Sequence, residues 1–106
     1  MSQNDAINIA RAYLKILKQA GITIDKAFLY GSFARNEATA DSDIDLMLVS
    51  TMFDTDDDYV LAQPWIYSAR VDPRIEPISI GFHRFDHDDT SPIIELVRQT
   101  GIEIQI

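Results

Sequence analysis

Two short apolar runs constrain this chain more than any other feature. KAFLY (Lys26–Tyr30) and DIDLMLV (Asp43–Val49) flank the polar segment GSFARNEATADS, Gly31 to Ser42. Each run has strand length and strand composition. The first runs straight into a glycine, and the second opens on two aspartates one residue apart. Alternate residues of a strand share a face, so Asp43 and Asp45 point the same way, their backbones about 6.6 Å apart. Two carboxylates held that close repel, and the arrangement asks for a cation.

The remaining elements follow from periodicity and punctuation. Asn4 to Ala20 carries apolar residues at helical spacing (Ile7, Ala10, Tyr13/Leu14, Leu17), with Asn4 or Asp5 to cap it and Gly21 to stop it. Ser32 to Asn36 reads as one or two helical turns, and Glu37 to Ser42 as loop. The acidic run Asp54–Asp58 opens a helix expected to end before Pro64 or resume after it. Arg74 to Phe82 alternates as a third strand, and Pro77 within it implies an edge or a bulge. Asp86 to Thr90 reads as a turn. Ser91 caps a last helix over 92–100, with Pro92 at its first position. Gly101 ends it, and Ile102 to Ile106 alternates as a short fourth strand. Alternating helices and strands predict one α+β (α/β-like) domain over 1–106, with a small mixed sheet of about four strands flanked by helices.

Charge and composition narrow the function. The net charge of −8 opposes direct nucleic-acid binding. A divalent metal can still invert the local field and admit a nucleotide. With no cysteine, thiolate catalysis, disulfides and cysteine zinc sites are excluded. Neither a signal peptide nor a membrane span is read from the chain, so the expectation is a soluble cytoplasmic protein.

The central stretch carries the chemistry. The first amides of a helical turn have no partner and face an anion. Gly31 lets a phosphate approach the backbone, the Ser32 hydroxyl adds a donor, and Arg35 offers either a phosphate contact or a structural ion pair. Asp43 and Asp45 underfill a site by themselves, as suits Mg²⁺ arriving with a nucleotide. A P-loop, an EF-hand and a serine-hydrolase elbow each fail on a required residue. The aspartates at 54–58, and Asp86 to Asp89 with His87, read as solvated. Trp65, Tyr67 and Phe82 read as core or partner surface.

The run G-S-x-A-R-x6-S-D-x-D-L, Gly31 to Leu46, resembles the signature of minimal nucleotidyltransferase domains of the DNA polymerase β-like superfamily. It departs at Asn36, where such domains commonly carry glycine; asparagine tolerates the left-handed backbone that a turn there needs. The resemblance implies that fold, and a phosphate site of Gly31, Ser32, Arg35 and Ser42. It implies Asp43 and Asp45 as catalytic metal ligands with two Mg²⁺ ions (Mn²⁺ as substitute), and ATP as substrate. It implies a third carboxylate on a later strand, ligand or general base, for which Glu76 is the candidate and Asp72 the alternative. Domains of this size are often antitoxins of HEPN/MNT toxin–antitoxin modules. The expected function is therefore AMP transfer from ATP to a tyrosine hydroxyl of a helical HEPN ribonuclease toxin within a hetero-oligomer, with no direct nucleic acid and no membrane as partner. The alternatives are a non-catalytic module that masks its partner by contact, and, ranked lower, a small-molecule (aminoglycoside-type) nucleotidyltransferase.

Overall fold

The computed structural model describes residues 1–106. Helix α1 (Gln3–Gln19) starts at Ser2, whose hydroxyl accepts from the Asp5 amide while Asp5 accepts from the Ser2 amide. This reciprocal box satisfies two end donors and moves the cap two residues ahead of the sequence expectation. Strands β1 (Lys26–Tyr30) and β2 (Ile44–Ser50) pair antiparallel. A 3-10 turn (Thr51–Phe53) leads to α2 (Asp58–Ser68), and β3 (Ile75–Gly81) returns parallel to β2. Helices α3 (Phe82–His87) and α4 (Pro92–Thr100) precede β4 (Ile102–Ile104), which lies antiparallel beside β1. The sheet order is β3-β2-β1-β4. The expected four-stranded mixed α+β sheet is therefore observed. No helix is long and apolar enough to cross a membrane.

Strand parity divides the core into two layers. Ala27, Leu29, Ile44, Leu46, Leu48 and Ile75 face α1 and α2 on one side of the sheet. Tyr30, Met47, Val49 and Ile80 face α3 and α4 on the other. β2 is covered on both faces and reads as a continuous apolar run for that reason. Pro77 sits on the edge strand β3, where its missing N–H costs no ladder bond, and the register past it is unbroken.

Three expectations need correction. Helix α2 neither ends nor restarts at Pro64 but continues through it. Pro64 is buried and the Tyr13 hydroxyl donates to its carbonyl, so tertiary packing offsets the lost ladder bond. The third strand stops at Gly81, and Phe82 begins α3, a helix with no sequence-level signal. Its cap comes from a distance: the Asp54 carboxylate accepts from the His83 amide at 3.2 Å. Asp54 is thus a tertiary cap, and Asp57 caps α2 by accepting from the Tyr59 amide at 2.9 Å; neither is merely solvated. Ser32 to Asn36 forms a single turn, within the one or two expected.

Candidate active site

The turn after β1 is closed at both ends by backbone geometry. Gly31 has φ +76°, and a Cβ there would overlap the Asp45 carboxylate. The glycine is required first by the protein's own packing, a reason additional to phosphate access. At the far end Asn36 has φ +56°. The Asn36 amide donates to the Phe33 carbonyl and the Glu37 amide to the Ser32 carbonyl, the paired bonds of a Schellman termination. Asn36 takes the left-handed position usually held by glycine, so the departure noted in the sequence leaves the turn intact. Among the amides at the start of the turn, those of Ser32, Phe33 and Ala34 find no acceptor within the protein. They are a set of free donors directly beside Asp45.

The acids come together by strand register. Asp45 lies opposite Tyr30 across the antiparallel pair and opposite Glu76 across the parallel pair. Its parity partners Met47 and Val49 place all three side chains on the α3/α4 face. Asp43 is exposed just before β2, and the alternation of the strand sets it on the same side. Burial raises the Asp45 carboxyl above its ordinary range, Asp43 and Glu76 raise it further, and Arg35 opposes them. The Tyr30 phenol, pushed up to about 12 by burial and then by Asp45 and Glu76, stays neutral at physiological pH.

Two arginines are already engaged with other acids. Arg74 forms a two-pronged pair with Asp72 at 2.9 and 2.7 Å, and Arg84 pairs with Asp88 at 3.1 Å. Asp72 also accepts from the Arg74 backbone amide, and its carboxyl is held below the ordinary range by these bonds. Asp72 is thus committed to a structural pair before β3, while Glu76 makes no ion pair at all. Arg35 reaches Glu37 at 3.4 Å through an exposed contact, which holds it only weakly. The Ser42 hydroxyl accepts from the Thr39 amide at 2.8 Å and so closes its own loop. The Ser32 hydroxyl takes part in no such bond. Tyr30 is the residue that sequence reading overlooked. Its position just before Gly31, with strand parity, was the available signal, but the pairing that sets it across from Asp45 is not a local property.

The acids do not close into a ready-made cage: no three carboxylate or histidine side chains gather tightly enough to hold a metal unaided. Their chemistry nevertheless fits a divalent cation. Asp43, Asp45 and Glu76 share a face, none has a cationic partner, and Asp45 carries the electrostatic cost. Mg²⁺ binds through one or two carboxylates, with waters and phosphate oxygens completing its shell, and needs no full protein cage.

A small mixed sheet with free amides at one strand end and acids across the next two strands brings donors for an anion and carboxylates for a cation to one side of an α+β domain. The comparisons with known proteins agree. The nucleotidyltransferase domain family model matches residues 10–99, and the chain belongs to that family. In structure it is similar to a crystallised Sulfolobus solfataricus protein proposed to be a nucleotidyltransferase, with a TM-score of 0.66 at 14% identity. The likeness covers 95% of this chain and 80% of that one, and it concerns the fold. No curated protein matches the sequence. Domains of this family generally act on nucleoside triphosphates with a divalent metal.

Proposed function

We propose that the chain transfers AMP from ATP to a tyrosine hydroxyl of a HEPN ribonuclease toxin and acts as that toxin's antitoxin. One observation carries the catalytic part: Asp45 and Glu76 stand in register on adjacent strands, free of cationic partners, beside a turn of free amides. The Ser32–Ala34 amides would take triphosphate oxygens, with Arg35 released from its exposed pair to add charge. Asp43, Asp45 and Glu76 would hold Mg²⁺, which when bound neutralises charge on the triphosphate and the departing pyrophosphate. The acceptor oxygen attacks the α-phosphorus, the bond to the β-phosphate bridging oxygen breaks, and pyrophosphate leaves. The acceptor proton would pass to a carboxylate, for which Glu76, exposed and without an ion-pair partner, is the choice. The partner assignment rests on the motif resemblance and on the acidic surface, which favours a basic RNA-handling protein over RNA itself.

The test has two stages. ATP is titrated calorimetrically with Mg²⁺ and with chelator; binding is expected only with metal, and equal affinity in chelator removes the carboxylate argument. The chain is then incubated with ATP and the HEPN-type product of a neighbouring reading frame, and tyrosine adducts are sought by mass spectrometry. AMP on a partner tyrosine is the expected result. Metal-dependent ATP binding without transfer would leave the nucleotide site standing and defeat the acceptor assignment.

A further inference from the structure

The chain has two histidines, and the fold brings them together. His83 and His87 lie four residues apart on α3, one turn after the other on its exposed side. Their ring centroids are 4.4 Å apart and the ring planes 38° from parallel. Neither imidazole makes an ion pair, and the one hydrogen bond made by His83 beyond the helix is through its backbone amide. The sequence shows only a histidine in an acidic turn, because the helix that pairs it with His83 has no local signal.

The backbone beneath the pair is fixed from outside the helix. Six residues do not hold a helix by themselves. At its start the Asp54 carboxylate accepts from the His83 amide, and at its end the Asp88 amide donates to the Arg84 carbonyl at 2.8 Å. On the inner side Phe85 is buried and stacks on Phe28 at 5.2 Å, with Phe82 packed in the same cluster. The two anchor points of the imidazoles are therefore set by the core, and only the side-chain torsions are left to adjust. The surrounding charge is negative. Arg84 is taken by Asp88 at 3.1 Å, and the Lys26 ammonium is drawn over the Phe82 and Phe85 rings at 5.7 and 5.8 Å. Asp54, Asp86 and Asp89 lie near the pair in sequence or contact and form no ion pair, so the local field favours a cation.

We propose that His83 and His87 chelate one divalent transition cation of the zinc, nickel and copper class. Imidazole nitrogen suits these ions, whereas Mg²⁺ and Ca²⁺ take oxygen. Two histidines at this spacing on one helix face are a zinc-binding arrangement. The position that carries a glutamate base in hydrolases of that pattern is Arg84 here, so the pair binds metal without catalytic chemistry of its own. Two nitrogens on a tetrahedral Zn²⁺ stand about 3.4 Å apart, given Zn–N bonds of about 2.1 Å. Rings already 4.4 Å apart reach that separation by pivoting about their side-chain bonds. No third acid or histidine closes the site, so water completes the shell and the ion exchanges with solvent. α3 begins where β3 ends, and Glu76 lies near the start of that strand, roughly 16 Å back along it. The site is thus separate from the candidate active site and does not depend on the proposed reaction.

Zn²⁺ titration of the full chain, with excess Mg²⁺ present to occupy oxygen sites, tests the proposal. The readouts are equilibrium dialysis and the proton NMR signals of the two imidazoles, which no other histidine obscures. One ion per chain should bind, and both ring signals should move together. His83→Gln and His87→Gln should each weaken binding at least about tenfold, because the second nitrogen of a chelate acts at high effective concentration. The double variant His87→Gln/Asp89→His keeps two histidines at the wrong spacing and should bind no better than His87→Gln. Circular dichroism confirms that each variant is folded, and two single variants at exposed positions keep the test valid should one of them fail. Zn²⁺ that moves neither ring, or only one, overturns the proposal. So does binding that survives both single variants, or that the misplaced histidine restores.

Discussion

Glu76 and Asp72 sit one on each side of Arg74, and that arginine decides between them. Its guanidinium grips Asp72 in two bonds and leaves Glu76 on the strand without a counter-charge. Glu76→Gln should therefore preserve the melting temperature and lower transfer about 10²–10⁴-fold, the ordinary loss for a positioned base. Asp72→Asn should do the reverse, lowering the melting temperature with turnover of the folded fraction near normal. Melting and transfer measured on one preparation of each variant decide the matter; a destabilised but active Glu76→Gln would sink the assignment. Asp45 adds a pH signature. Its folded pKa lies above the ordinary 3.8, so the native state holds that proton more tightly than the unfolded chain does. The resulting stability is full below the unfolded value and is lost as pH rises through the folded pKa. Asp45→Asn should accordingly raise the metal-free melting temperature at pH 7, and the gain should vanish in acid. A gain independent of pH would point to packing instead of charge.

At the scale of the element, the turn from Gly31 to Glu37 depends on two left-handed residues with unequal tolerance. Gly31 is constrained twice, by its φ and by the Asp45 carboxylate against it. Gly31→Ala should cost about 1–3 kcal/mol and displace Asp45. Asn36 is constrained only by φ, so Asn36→Gly should be neutral or slightly stabilising, whereas Asn36→Val should cost about 1–2 kcal/mol. Chemical denaturation of the three variants checks the order; a harmless Gly31→Ala would mean that the carboxylate moves aside freely. The same turn shows what was legible in the sequence and why. Gly31, Asn36 and the Asp43–Asp45 spacing signal locally, through backbone preference and strand alternation, and could be read. Helix α3 could not, because its cap, Asp54, is supplied from across the chain. Nor could the continuity of α2 through Pro64, a buried residue whose carbonyl accepts from the Tyr13 hydroxyl of α1.

For the whole molecule, the mixed sheet was legible because the apolar runs and their punctuation alternate, while strand order was not, since nothing local states which edges meet. The difference bears on the candidate site. Asp43, Asp45 and Glu76 could be named singly from the sequence, but Tyr30 became visible only once β1 and β2 were paired. The parallel pairing of β2 with β3 has a further meaning for the order of assembly. β1 and β2 can meet through a short connection, but β3 must wait for the crossover through α2 before it finds its edge. Contacts between residues far apart in the chain form late, after the entropy of closing the intervening loop has been met. Glu76 is carried on that strand. During synthesis, a nascent chain that has folded only as far as the first hairpin already displays two of the three candidate acids; the third arrives when β3 pairs with β2, before β4 closes the sheet beside β1 across a still longer stretch of chain.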